Sequence, residues 1–341
     1  MRSQIVNAPV SNQCSEFEDR RSGTVAHPST MDEDKANVQP SNQDAFGNEE
    51  FAEVKYKVLN RWQCGLLMVA ETIFMGILSL PTAFAGLGLA PAIIILVVLG
   101  ILATYTGYVI GQFKCRYPHI SSVADAGEIL LGPIGRELFF TAHMLYSVFI
   151  MASHILTFTV ALNTITEHGT CSLVFGVVGL VLSFSLSVPR TLKRMTWLSL
   201  ASFASIIAAV FVTMIAVGVQ NHVSSFKVTA QTNLVNAFTS VSKSSHMSID
   251  ICLYLVTAIV IYLYAGDRVA SPALSSAGPL IAKIAYGVAL PTIVIAGVIY
   301  GHIASKTIYV RIFAGTDRMH KKDFVAVGSW VGLALSLWVV A

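Results

Sequence analysis

The sequence predicts an all-α polytopic membrane protein with about eight transmembrane helices. Three observations carry that prediction: composition, apolar runs of membrane length, and basic residues gathered into alternate loops. Of the 341 residues, 54% are hydrophobic and 12% are charged. Soluble domains carry roughly 25% charged residues. Half that proportion cannot cover a water-facing surface, so the apolar excess faces lipid. The net charge of +3 is small and is not gathered into one patch, so nucleic acid is not an expected partner. The five cysteines, Cys14, Cys64, Cys115, Cys171 and Cys252, form no CxxC pair, and no metal or redox site is expected.

Residues 1–60 are rich in Asn, Ser, Asp, Glu and Gln. Such a stretch cannot bury enough apolar surface to offset its ordering entropy, so it reads as a disordered tail. It has no basic stretch followed by an apolar core, so it is not a signal peptide, and the first span serves as the targeting signal. Residues 61–341 form the membrane domain. A membrane helix needs about 20 mostly apolar residues. Spans are predicted over Trp62–Ala85, Ala90–Phe113, Leu138–Leu162, Ser172–Val188, Leu198–Val219, Ile251–Ala265, Leu280–Ser305, and from Phe324 to the C-terminus. Ile251–Ala265 is short, and the last span stops while still apolar.

Lysine and arginine collect in cytosolic loops. Lys55, Lys57 and Arg61 precede the first span, Lys114, Arg116 and Arg136 follow the second, and Arg190, Lys193 and Arg194 follow the fourth. The intervening loops are poor in both residues, which places the N-terminus in the cytosol. The pattern then breaks. Lys306, Arg311, Arg318, Lys321 and Lys322 form the most basic loop, yet eight simple crossings leave it outside. One more crossing between Val219 and Ile251 restores parity, but residues 231–246 hold only short apolar clusters and cannot span alone. A helix is expected to be missing or shortened there, from splicing or a faulty gene model. A re-entrant segment is the alternative.

The first span carries the most informative residues. Gly76 and Pro81 lie in its middle; proline removes a backbone donor and glycine leaves helical dihedrals cheaply. Breaks of that kind expose backbone groups at the midplane of transporters, where substrate carboxylates bind. A kink or a close-packing site is the alternative. Glu71, within the same apolar run, either faces a polar cavity, as proton coupling needs, or sits near the cytosolic interface. His143, Ser147 and His154 share one face of the third span; an interhelical hydrogen bond is preferred there over a proton relay. In the seventh span Gly287, Pro291, Gly297 and Gly301 loosen the helix and admit close neighbours, and Thr292 beside the proline is a weaker candidate for a substrate or ion contact. No GK[ST] loop, HExxH or carboxylate pair is present, so neither an ATP-driven pump nor an enzyme is expected, and no cofactor is implied.

The run GILSLP (76–81), followed by Ala83 and Gly86, resembles the opening of the amino acid/auxin permease family, whose pattern is roughly G-x-G-x-L-x-L-P. Phe74 stands at the first glycine position of that pattern. The runs VASPALSSAGPL (269–280), AYGVALPTIVIAGVIYGH (285–302) and GTDRMHKKD (315–323) resemble the fungal neutral amino-acid permease branch. The likeness covers most of residues 55–341. It implies the inverted-repeat (LeuT-like) transporter fold of about eleven helices, here incomplete: the sixth helix is expected to be lacking, and the chain to end within the ninth. It also implies that the backbone from Thr72 through Ile73, Phe74, Met75, Gly76 and Ile77, with Ser79 one turn on, binds the amino and carboxylate groups of an amino acid. Helix breaks are expected at Gly76, Pro81 and Pro291, and proton coupling at Glu71, His143 or His154.

The expected function is secondary active transport of neutral amino acids, by proton symport with alternating access. The partners are the amino acid, protons and the lipid bilayer, and the plasma membrane is favoured over the vacuolar one. The alternative is a non-transporting relic or a membrane sensor derived from such a transporter.

Overall fold

A computed structural model describes residues 60–117, 119–189, 193–220, 226–230, 233–244, 251–313, 316 and 323–341. The expected N-terminal tail lies outside these residues. Nine helices occupy the described residues: α1 (Arg61–Leu87), α2 (Leu89–Arg116), α3 (Val123–Thr166), α4 (Ser172–Ser187), α5 (Lys193–Gln220), α6 (Leu234–Ser244), α7 (Ile251–Ala265), α8 (Pro279–Phe313) and α9 (Phe324–Val340). Two 3₁₀ turns, Gly266–Arg268 and Ala273–Ala277, join α7 to α8. Eight of these helices fall on the eight predicted spans; α6 is the addition. Among the described residues, four are long and apolar enough to cross a bilayer alone: α2, α3, α8 and the Trp197–Gln220 part of α5.

Local chemistry explains the helix boundaries. Ser122 and Asp125 form a capping box at the start of α3, with Asp125 N–H donating to Ser122 Oγ at 3.2 Å and Ser122 N–H to Asp125 Oδ2 at 2.9 Å. α3 is interrupted at Gly132, whose φ of 67° suits only glycine well, and Pro133 then opens its long membrane segment. α3 therefore begins well before the predicted Leu138.

Two antiparallel contacts centre the bundle on α8. Against α3, ion pairs join Glu137 to Arg311 at one end and Glu167 to Lys283 at the other, and His154 bonds to Ile293 O midway. Against α5, Ser205 Oγ donates to Val288 O, and Thr292 Oγ1 donates to Ser202 O at 2.5 Å. Both α8 contacts lie within one turn of Pro291. A proline costs about 3 kcal/mol inside an ordinary helix because its turn loses a backbone bond. Here one hydroxyl from α5 and one from α8 itself bond that turn to α5, and α8 runs unbroken from Pro279 to Phe313. The expected break at Pro291 is thus corrected.

The same correction applies to α1, which is continuous through Gly76 and Pro81. Its C-terminal half is buried at Ile77, Leu80, Ala83 and Phe84. This packing offsets the proline penalty, and α1 keeps its helical path to a Gly88 N–H bond to Phe84 O of 2.8 Å.

α1 and α7 run parallel. Gly76 lies against Tyr254, and eight residues further along both helices Phe84 meets Tyr262 edge-on with centroids 6.2 Å apart. Since α5 ends at the Gly88 end of the bundle, the chain must return to the opposite end before α7 begins. This reversal, within which α6 packs against α1 and α2, places Arg311 at the same end as Glu137 and Arg136. Arg311 thus lies at the end where the charge pattern expects it, and the chain doubles back between Val219 and Ile251. Arg311 of α8 shares an end with Glu137 of α3, and among the described residues between α5 and α7 no helix is long and apolar enough to span alone.

The C-terminal end of α4, where helix carbonyls lack intrahelical donors, is held by aromatic N–H groups. Trp330 Nε1 donates to Val188 O and His302 Nε2 to Pro189 O, each at 3.0 Å, while Trp338 Nε1 donates to Ser187 Oγ at 3.0 Å.

At the other end, Lys283 holds the Glu167 carboxyl below its ordinary value, by hydrogen bonding first and charge attraction second. A lowered carboxyl value stabilises the fold at pH above the unfolded value, and that contribution is lost as pH falls through the lowered one. Glu167→Gln is expected to lower thermal stability slightly at neutral pH, because the pair is solvent-exposed. The difference should close below about pH 4. A gap that persists in acid would assign the effect to something other than this pair.

Candidate functional site

The site proposed from the sequence centres on α1. The backbone from Glu71 to Ile77 is helical; Ile77 is buried, and Ser79 Oγ donates to Gly76 O at 3.3 Å. The expectations for the side chains of Glu71, Thr72, Ile73, Phe74 and Met75 lie outside the described residues. A Cβ built on Gly76 would stand 2.8 Å from Tyr254 Cζ and 2.9 Å from its Oη. Glycine at 76 therefore makes room for the phenol of a fully buried tyrosine, which corresponds to the close-packing alternative for this residue.

The histidines sit elsewhere. His154 is buried between α3 and α8. Its Nδ1 lies 3.0 Å from Ile293 O, and because a carbonyl only accepts, Nδ1 carries the proton. Gly297 lies directly against its Cβ, and the Tyr300 ring lies 6.5 Å away between centroids. Ser147 is buried on the same face, bonded to His143 O at 2.9 Å, whereas His143 itself is half-buried. The described contacts join His154 to α8 and Gly76 to α7, and none joins these two groups. Thr292 is committed to α5 through Ser202 O.

A third cluster was not singled out from the sequence. Residues 226–230 lie across the turn between α1 and α2. Leu89 N–H donates to Lys227 O and Ala90 N–H to Val228 O, both at 3.0 Å, while Ala230 N–H donates to Leu87 O at 3.2 Å. Two of the donors that α2 leaves unpaired at its start are thereby satisfied. Lys227 also pairs with Asp267, just past α7, at 2.7 Å, and its N–H donates to Tyr262 Oη at 3.2 Å. Hydrogen bonding and charge attraction from Asp267 hold the Lys227 ammonium above its usual value. Gly88, with φ of 87°, lies under this segment, and a Cβ there would fall 2.8 Å from Thr229 Cα and Ala230 N. A lysine and a Gly-Asp-Arg triplet after apolar runs are the only sequence signals of the cluster, and nothing in their spacing pairs them.

Comparison with known proteins bears out the family resemblance. The family model described as transmembrane amino acid transporter protein matches residues 57–246. An N amino acid transport system protein of Neurospora crassa is 34% identical over 338 aligned positions, covering 86% of this chain and 71% of the relative. A transmembrane transporter of Gibberella moniliformis is 29% identical, covering 92% and 76%. One of Fusarium pseudograminearum is 26% identical, covering 94% and 75%. The 338 positions exceed the 86% of this 341-residue chain that they cover, so the Neurospora relative has residues within the matched region that lack a counterpart here. No solved structure matches. The family and these relatives are transporters, not enzymes. With its apolar helices and this match, the chain is a multi-pass membrane protein belonging to the transmembrane amino acid transporter family.

Proposed function

We propose that the chain carries neutral amino acids by proton symport, through alternating access in an incomplete inverted-repeat fold. Family membership is the observation that carries this reading. The name of the Neurospora relative, an amino acid transport system protein, supports an amino-acid cargo. The neutral preference rests on the motifs at 269–280, 285–302 and 315–323. In this reading the α1 segment from Thr72 to Ile77, with Ser79, takes the amino and carboxylate groups, which requires its helical backbone to open during the transport cycle. Glu71, His143 and His154 are the candidates for the coupling proton. The basic residues Lys114, Arg116, Arg136 and Arg311 mark the cytosolic side, with the N-terminus on that side and the plasma membrane as the location.

The second reading, a non-transporting relic or sensor, is favoured by two observations. The Neurospora relative holds residues inside the matched region that this chain lacks, which agrees with a lost sixth helix. In addition, Tyr254 occupies the space beside Gly76. The experiment that separates the readings is uptake of labelled phenylalanine or leucine by cells expressing this chain, with and without a proton gradient. Symport predicts gradient-dependent uptake that Gly76→Trp abolishes. Uptake no greater than that of the Gly76→Trp protein, at equal membrane abundance, assigns the chain to the second reading.

A further inference from the structure

We propose that residues 226–230 are a releasable strap that closes the outer ends of α1, α2 and α7, so that outward access to the α1–α7 seam requires it to detach. The outer side follows from the cytosolic placement of the basic end. The purpose of the strap rests on the transport reading, but its closure does not.

The main-chain bonds and the exposed ion pair are of a kind that breaks at small cost and reforms. Three main-chain bonds hold the strap to residues 87–90. The Lys227–Asp267 pair is about half exposed on both sides, so water competes for both charges. Tyr262 Oη meets both polar groups of the Lys227 backbone, at 3.2 Å to N and 3.4 Å to O. The strap follows α5, the helix bonded to α8, yet its contacts are with α1, α2 and the end of α7. It therefore links the start of α2 and the end of α7 across the outer end of α1. Below it, Thr82 Oγ1 donates to Ala270 O at 3.1 Å, and the helix contacts between α1 and α7 begin. A strap bonded to α1, α2 and the end of α7 at the outer end of the α1–α7 seam has the position of a gate.

The test reads thiol accessibility, which needs no uptake. A Ser79→Cys reporter, on α1 about 13 Å inward of Gly88, is placed in a Cys171→Ser background and exposed to a membrane-impermeant thiol reagent from outside. In parallel, chains retaining Cys171, an exposed free thiol near Glu167, report insertion and orientation. With the strap intact, the reporter should label at least tenfold more slowly than Cys171. Asp267→Asn and Tyr262→Phe should each raise its rate about two- to fivefold, as weak single contacts allow. The exchange Lys227→Asp with Asp267→Lys should restore slow labelling. Reporter labelling as fast as Cys171 with the strap intact overturns the proposal. So does an unchanged rate in Asp267→Asn, whose half-exposed side chain can be neutralised without disturbing the core. If both variants raise the rate while chains that keep Ser79 show no uptake, the strap stands and the transport reading fails. Gradient-driven uptake with unchanged rates has the converse meaning.

Discussion

Replacing Trp330 with alanine is expected to destabilise the folded protein by about 4 kcal/mol, within the range for deleting a buried indole. Trp330 is fully buried, and its ring meets His302 at 5.2 Å and Tyr309 at 5.5 Å between centroids. The loss has two parts. The cavity forfeits packing with both rings, and Val188 O loses its donor at the end of α4. Trp330→Phe separates them in part, since it keeps one ring in place while removing the N–H and a fraction of the indole volume; a loss of about 1–2 kcal/mol is expected for that change. Trp197, which is 73% exposed on α5, is the control, and its alanine variant should lie within about 0.5 kcal/mol of wild type. Unfolding titrations in mixed micelles measure all three. Equal midpoints for Trp330→Ala and Trp197→Ala would contradict the role given to α9 as the brace of α4.

The second large effect is expected at Gly297. A Cβ there would lie 2.8 Å from the Cβ of His154. Both atoms are fixed to backbone, so neither can swing aside, and any side chain at 297 must push α3 and α8 apart. Overpacking of this kind costs about 1–3 kcal/mol, and separation also strains the bond from His154 to Ile293 O. Gly297→Leu is therefore expected to lose about 3 kcal/mol, with Gly297→Ala intermediate. Gly287, on the same helix, has open space where its Cβ would point, and Gly287→Leu should be close to neutral. The contrast between two glycines of one helix removes helix propensity as an explanation, because both changes carry the same intrinsic preference. If Gly287→Leu proves as damaging as Gly297→Leu, the α3–α8 contact is not the cause.

These two sites also show what could be read in advance. The helical, membrane-spanning character followed from composition and span length, because both are sums over many residues that no single contact can overturn. Gly297 and Gly301 were legible as close-packing positions, and they meet His154 and Trp338 respectively. The preference for a hydrogen-bonded His154 over a relay also agrees with its bond to α8. The breaks at Gly76, Pro81 and Pro291 were misread because proline and glycine only make a break inexpensive. Whether it occurs depends on what packs alongside, and here the hydroxyl bonds between α5 and α8 and the apolar face of α1 decide against it. Tyr254, and the meeting of Lys227 with Asp267, had no local signature. Such partners are set by the parallel run of α1 with α7, which no periodicity within either helix encodes. The charge count was informative even where its simple reading failed, since it located the stretch in which the chain doubles back.

That parallel pairing has a consequence for how the protein is made. Thr82 and Ala270 bond to each other across 188 residues of chain. At a synthesis rate of about 5–20 residues per second, α1 is complete roughly ten to forty seconds before its partner emerges from the ribosome. During that interval the face of α1 that ends against Tyr254 and Tyr262 must be sheltered by something else, whether insertion machinery, lipid or an earlier helix. Among the described helices α1 thus finds α2 and α5 early and α7 late, so the α1–α7 seam is one of the last parts of this domain that can close.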